Sequence, residues 1–174
     1  MENKKTSPAK YSLTYGLVSG FFGVILSLML FSLDMHYQGG WQIFTIFILY
    51  FTFFIMYAIT QYKKENNGFL TISEGLKVGL GLALVSAIIS GCFTIILQEF
   101  LDPEAINKAL EFQKQTWLES DPEVSYEFVN STIEMQRPYT TPFWTLTSAI
   151  VLNLILGFLI SLIGSLIVKK SQPE

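Results

Sequence analysis

The residues able to do chemistry are few and widely spaced. The chain of 174 residues holds one His and one Cys. A single cysteine excludes a disulfide framework and any Cys-based zinc site. His36 stands two residues after Asp34, and two such ligands alone make a poor metal site. Acidic residues gather at Asp102, Glu104, Glu119, Asp121 and Glu123, but their spacing is not that of a calcium-binding loop. The Gly-rich phosphate loop, the GxSxG elbow and the HExxH zinc helix do not occur. A pI near 5.2 argues against nucleic acid, which needs a basic face. No catalytic, cofactor or metal residue is therefore assigned, no cofactor is expected, and the chain is not expected to be an enzyme.

The elements around these residues explain their scarcity. Hydrophobic residues are 51% and charged residues 14% of the chain, and the mean hydropathy is +0.43. Soluble chains carry about 25% charge. A spanning helix needs about 20 apolar residues, and four stretches qualify: 16–33, 41–60, 78–97 and 143–168. The expected fold is an all-α integral membrane protein forming one domain over 1–174. The first stretch exceeds the apolar core of a signal peptide and lacks a small-x-small cleavage site after it, so a retained helix is expected.

Charge sets the orientation. With both termini inside, Lys4, Lys5, Lys10, Lys63, Lys64, Lys77, Lys169 and Lys170 are inside, eight of the eleven basic residues. Only Lys108, Lys114 and Arg137 are outside. Trp41 and Trp144 then open the second and fourth spans at the outer interface, where indole rings prefer to sit. Both termini are expected in the cytoplasm, and the long segment 98–142 outside it.

Segment 98–142 carries two helix-start signals, Asp102-Pro103-Glu104 and Ser120-Asp121-Pro122-Glu123. Asp102 and Asp121 are read as helix caps, each accepting a backbone N–H that lacks a helical partner. Pro suits the first helical position and Glu the positive end of the dipole. Helices are expected at about 103–118 and 122–136, lying against each other and the membrane mouth, with Trp117 and Leu118 dipping toward the interface. Asn130-Ser131-Thr132 is a glycosylation sequon. On the other side, Asn66-Asn67-Gly68 is a turn, and Ser73 is placed to cap the third span.

No charge lies in the interior of any span, which counts against a proton-coupled transporter or pump. The polar residues there are mild: Ser19, Ser27, Ser86, Ser90, Thr94, Asn153, Ser161 and Ser165. Asn153 is read as bonding a neighbouring helix, and Cys92 as a small buried packing residue. Small residues recur every four positions along Gly75, Gly79, Ala83, Ala87 and Gly91 in the third span. Ala149, Asn153, Gly157, Ser161 and Ser165 do the same in the fourth. Close backbone approach is what holds helices together in lipid, so these stripes are read as helix-packing faces. They would meet within one chain or between copies. The first span offers Ser19, Gly23 and Ser27. The second, crowded with Phe44, Phe47, Phe51, Phe54 and Tyr57, is expected to face lipid.

These residues also carry a resemblance. Gln61-Tyr62-Lys63-Lys64, Gly68, the run Ile72-Ser73-Glu74-Gly75-Leu76-Lys77-Val78-Gly79, then Ala87-Ile88-Ile89-Ser90, Asp102-Pro103-Glu104 and the closing Lys169-Lys170 resemble a family of bacterial membrane proteins classed as domain of unknown function 4199. The resemblance implies four helices in the cytoplasmic (inner) membrane and brings no activity. The function expected is that of a multi-pass, non-catalytic protein that associates through its small-residue faces. Its partners would be the bilayer and either another copy or another membrane protein. The alternative is a small transporter or channel subunit with an acidic outer cap.

Overall fold

A computed structural model describes residues 7–170. Lys4 and Lys5, which entered the charge count, lie outside them. Six helices follow in order: α1 (Pro8–Ser32), α2 (Trp41–Glu65), α3 (Ile72–Ile96), α4 (Ala105–Ser120), α5 (Tyr126–Gln136) and α6 (Pro142–Val168). A π-helical turn, Leu97–Leu101, extends α3, and a short 3-10 turn, Arg137–Tyr139, follows α5. The four long helices are apolar enough to cross a membrane. Their apolar residues also cover the outside, with Phe21, Ile25, Leu49, Phe53, Ile155 and Ile163 all exposed. Such a surface is stable only in contact with hydrocarbon.

The helices run past the apolar stretches that identify them. α1 starts two turns before residue 16, because Pro8 fits a first helical position and Tyr11 and Ser12 bury against the bundle. α2 continues through Lys63 and Lys64, which suit the negative end of its dipole. Lys63 Nζ also donates to the Val168 carbonyl at the end of α6, 2.7 Å away. α3 is capped by Thr71, not Ser73. Thr71 Oγ1 accepts from Glu74 N–H at 3.2 Å, and the Glu74 carboxylate accepts from Thr71 N–H at 2.8 Å. This reciprocal capping box satisfies two donors at once. Tyr62 adds a third bond to the Glu74 carboxylate at 2.9 Å. The turn before it needs glycine, since Gly68 has φ +79°. Leu70, fully buried, then exchanges two backbone bonds with Lys170, at 2.9 and 3.0 Å.

α3 is the axis of the bundle. Against antiparallel α6 it sets Gly75 on Ser165, Gly79 on Ser161, Ala83 on Gly157 and Gly91 on Ala149. The pairs climb α3 by four as they descend α6 by four. A Cβ on Gly157 would lie 2.5 Å from that of Ala83, so the backbones touch. Ala87 and Asn153, both buried, occupy the intervening step. Asn153 differs from its expected role. Its amide donates to the Ala149 carbonyl of its own helix, 2.8 Å away.

On its other side α3 takes α1 in parallel. Gly16 meets Val85, Gly20 meets Ile89, and Ser12 meets Gly81. Ser12 Oγ lies 3.1 Å from the carbonyls of Lys77 and Val78, and Ser86 donates to Ser19 at 3.3 Å. Gly23 faces Tyr50 of α2 instead, so it lies off this seam. Cys92 is exposed on the bundle surface and packs into no core.

The expectation for α2 also needs correction. Its exposed face carries Phe44, Leu49, Phe53 and Tyr57, but Phe51, Ile55, Ala58, Ile59 and Tyr62 are buried. Phe51 stacks on Phe47 with centroids 5.3 Å apart. A helix aromatic all round cannot reveal its buried face by hydrophobicity alone. Truncating Phe51 to Ala should cost about 3–5 kcal/mol, the usual range for buried aromatics. Thermal unfolding in detergent should show it, with Phe53→Ala on the exposed face as the near-silent control.

Candidate functional site

At the end of the bundle away from the termini, three segments converge on one carboxylate. The π-helical turn closes α3 with Asp102 N–H donating to the Leu97 carbonyl at 2.8 Å, five residues back. π-turns are rare and concentrate at functional sites. Here the turn carries Asp102 inward, where its side chain is about one-tenth exposed. The α1–α2 loop turns at Asp34, whose φ is +54°, and delivers His36. The His36 ring is buried edge-on against Phe31 and Tyr37, at 5.1 and 5.4 Å. His36 Nε2 lies 2.9 Å from Asp102 Oδ2. Lys108 of α4 donates to the same oxygen at 2.7 Å. Asp102 Oδ1 accepts from Glu104 N–H at 3.1 Å.

The Lys108 ammonium, with His36 and the Glu104 N–H, holds the Asp102 carboxyl below its ordinary range, against the opposing effect of burial. Asp102 in turn raises the Lys108 ammonium. The histidine is held in one orientation by the carboxylate, the arrangement that prepares an imidazole for acid–base work. Its other nitrogen, Nδ1, is however buried and meets no partner among the described residues. An imidazole so enclosed is a clasp: it joins the α1–α2 loop to the α3 end and, through Asp102, to α4. Among the described residues no three His, Cys, Asp or Glu side chains converge as a metal site would require.

The clasp fixes a helical hairpin. α4 and α5 pack through Leu110, Val129 and Ile133, with Ile106, Leu118 and Val124 around them. Leu118 thus lies in the hairpin core rather than at the bilayer, and Trp117, half-exposed, lies 6.3 Å from Phe128. Lys114 ties the helices by donating to Tyr126 and Asn130, at 2.8 and 2.9 Å. Asn130, from the sequon, is thereby half-buried in a bond. Arg137 binds both Glu134 and Asn107.

The two Asp-Pro-Glu signals act alike, but not as expected. Each Asp accepts from the N–H two residues on, Asp102 from Glu104 and Asp121 from Glu123, both at 3.1 Å. This is a local turn closed by the carboxylate. α4 follows at once, at Ala105. Asp121 instead terminates α4, and α5 waits until Tyr126, where Ser125 Oγ accepts from Phe128 N–H at 3.2 Å. The cap of α5 is therefore Ser125, a signal masked in the sequence by the stronger motif beside it.

On the other face of α4, Phe112 and Trp117 border a groove of about 500 Å³ shared with Tyr37, Gly39 and Gly40. Phe112 and Tyr37 meet edge-on at 6.4 Å. Two glycines without side chains keep the loop wall open.

Four apolar helices packed through small residues, with a clasped helical hairpin at one end, define a multi-pass membrane protein. The chain belongs to the family described as protein of unknown function (DUF4199), whose model matches residues 14–170, nearly the whole length. No curated protein and no solved structure matches it.

Proposed function

We propose that the protein is a non-catalytic protein of the bacterial inner membrane whose hairpin, outside the cytoplasm, docks another membrane protein or a second copy. The carrying observation is the buried His36–Asp102 contact, joined from α4 by the partly exposed Lys108, which ties the hairpin to the end of the bundle. A mere connection between spans has no need of such fixation. The small-residue faces of α3 and α6 are engaged with each other, so they support folding and leave association to the hairpin groove. The same close packing, with no charge inside the spans, disfavours the transporter reading. The concentration of lysines at the opposite end, against only Lys108, Lys114 and Arg137 in segment 98–142, supports a cytoplasmic location for both termini.

Two experiments address this reading. Reporter fusions after Glu65 and Ser171 should behave as cytoplasmic, and those after Gln38 and Ser120 as extracytoplasmic. An extracytoplasmic signal after Ser171 would remove the orientation. A photo-crosslinking residue at Gln113, in the groove, should give one discrete adduct in native membranes. The same residue at the exposed Glu127 of α5 should give none. Equal or absent adducts at both positions would count against docking.

A further inference from the structure

α5 presents three faces, each about a third of the helical turn. Val129 and Ile133 are buried against α4. Glu127 and Glu134 form a charged face, both exposed. The third face is apolar and uncovered: Phe128 is 57% exposed, and Met135, two turns on, is 72% exposed. Thr132 between them donates its hydroxyl to the Phe128 carbonyl at 2.9 Å, so it adds no unmet polar group. Tyr139, 62% exposed, carries the line into the 3-10 turn. A helix divided in this way is amphipathic twice over, once toward its partner helix and once toward something outside the chain.

The two ends of this stripe fix its height. α5 is about 16 Å long, and standing upright it would lift Phe128 that far above Tyr139. Instead, both ends lie beside the beginnings of spans. Tyr139 meets Trp144, in the first turn of α6, edge-on at 5.4 Å. Phe128 lies 6.3 Å from Trp117, and Trp117 borders the groove shared with Gly39 and Gly40, the residues just before α2. The helix therefore lies across the bundle end, and its stripe is on the side that Trp117 turns toward the spans. Trp and Tyr favour headgroup depth, and Trp117, Tyr139 and Trp144 flank the stripe. Through Trp144 it continues into Phe143, also exposed, at the start of the fourth span.

We propose that α5 is an interfacial helix: the bilayer surface beside the spans covers Phe128, Met135 and Tyr139, while Glu127 and Glu134 face water. Such helices sink their apolar side about 5–10 Å into the boundary between headgroups and acyl chains. Lipid is the occupant because the stripe is continuous with the lipid-facing start of α6 and lies at the same level. The inference is independent of docking by the α4 groove and of which side of the membrane the hairpin occupies. The test uses the full chain with Cys92→Ala, reconstituted in phosphatidylcholine vesicles. A nitroxide is attached at Phe128→Cys, Met135→Cys or Glu127→Cys, one at a time. All three side chains are exposed, so substitution leaves the hairpin core in place. Oxygen concentrates in hydrocarbon and a nickel chelate in water. Collisions with oxygen should exceed those with nickel at 128 and 135, and the ratio should invert at 127. Nickel collisions in excess at 128 and 135 would put the stripe in water and overturn the proposal. A nitroxide at 128 and 135 that neither reagent reaches would mean that protein covers the stripe, a second copy included, and would overturn it as well. The two positions are read independently, so either decides should the other substitution lower the thermal midpoint.

Discussion

Gly157→Leu is expected to unfold the bundle in detergent at temperatures where the wild type is intact. The glycine sits where α6 crosses α3, and even one added carbon would lie 2.5 Å from the Ala83 Cβ and 3.6 Å from the Gly79 carbonyl oxygen. Neither neighbour is a flexible side chain able to swing aside. A leucine therefore forces the two helix axes apart. Separation is felt along the whole seam, because Gly79 against Ser161 and Gly75 against Ser165 depend on the same spacing. Overpacking a core costs about 1–3 kcal/mol, occasionally more, and a seam without alternative rotamers belongs at the upper end. For a chain of this size each kcal/mol moves the thermal midpoint by about 2–4 °C. A fall of roughly 10 °C is the expected reading, with Ala87→Leu showing the same sign and Gly157→Ala a smaller loss. Leu159→Ala, on the exposed side of α6, is the control and should change little. An unchanged midpoint for both leucine variants would mean that the stripes are composition and not a packing face.

The α3–α6 seam was half legible in the sequence. Spacing by four names the face of a helix, and it names both of these faces residue by residue. Spacing does not name the partner, because any small-residue face fits any other. The α1 seam was legible in part: Ser19 lies on it, bonded to Ser86, whereas Gly23 faces α2. Ser12, Gly16 and Gly20 repeat every four residues just as Ser19, Gly23 and Ser27 do, but Ser12 lies outside the apolar stretch that marks the span. Phe51 was not legible at all, since every turn of α2 offers an aromatic side chain to either environment. The clasp was hidden for a different reason. His36 and Asp102 are 66 residues apart, and nothing local to either reports the other. A signal did exist in their rarity: the only histidine stands at one end of a span, and an Asp-Pro turn stands at the same end of another.

Asp102→Ala is expected to release the hairpin while leaving the four spans packed. The substitution removes the one group that receives His36, Lys108 and the Glu104 N–H together. It also strands the His36 ring, already without a partner at Nδ1, in a buried site with neither nitrogen satisfied. The loss is that of the acceptor for a buried imidazole and for a solvent-exposed ammonium, whose own share is screened by water. The hairpin has only a small core of its own, so this loss falls on its attachment. Limited trypsin digestion reads it directly. Cleavage after Lys108 and Lys114 should accelerate by an order of magnitude or more, while fragments containing α1–α3 and α6 remain resistant. Asp102→Asn, which keeps an accepting oxygen for Lys108, should be intermediate. Acid should reproduce the effect in the wild type. The folded carboxyl lies below its ordinary value, so its contribution is complete above about pH 4, the unperturbed range. It is lost as pH falls through the folded value. Digestion after brief exposure to lower pH, with an acid-active protease, should therefore open the hairpin in wild type and add nothing in Asp102→Ala. Identical digestion of wild type and Asp102→Ala at neutral pH would show that the hairpin stays in place without the clasp, and would remove the basis for treating it as a rigid docking element.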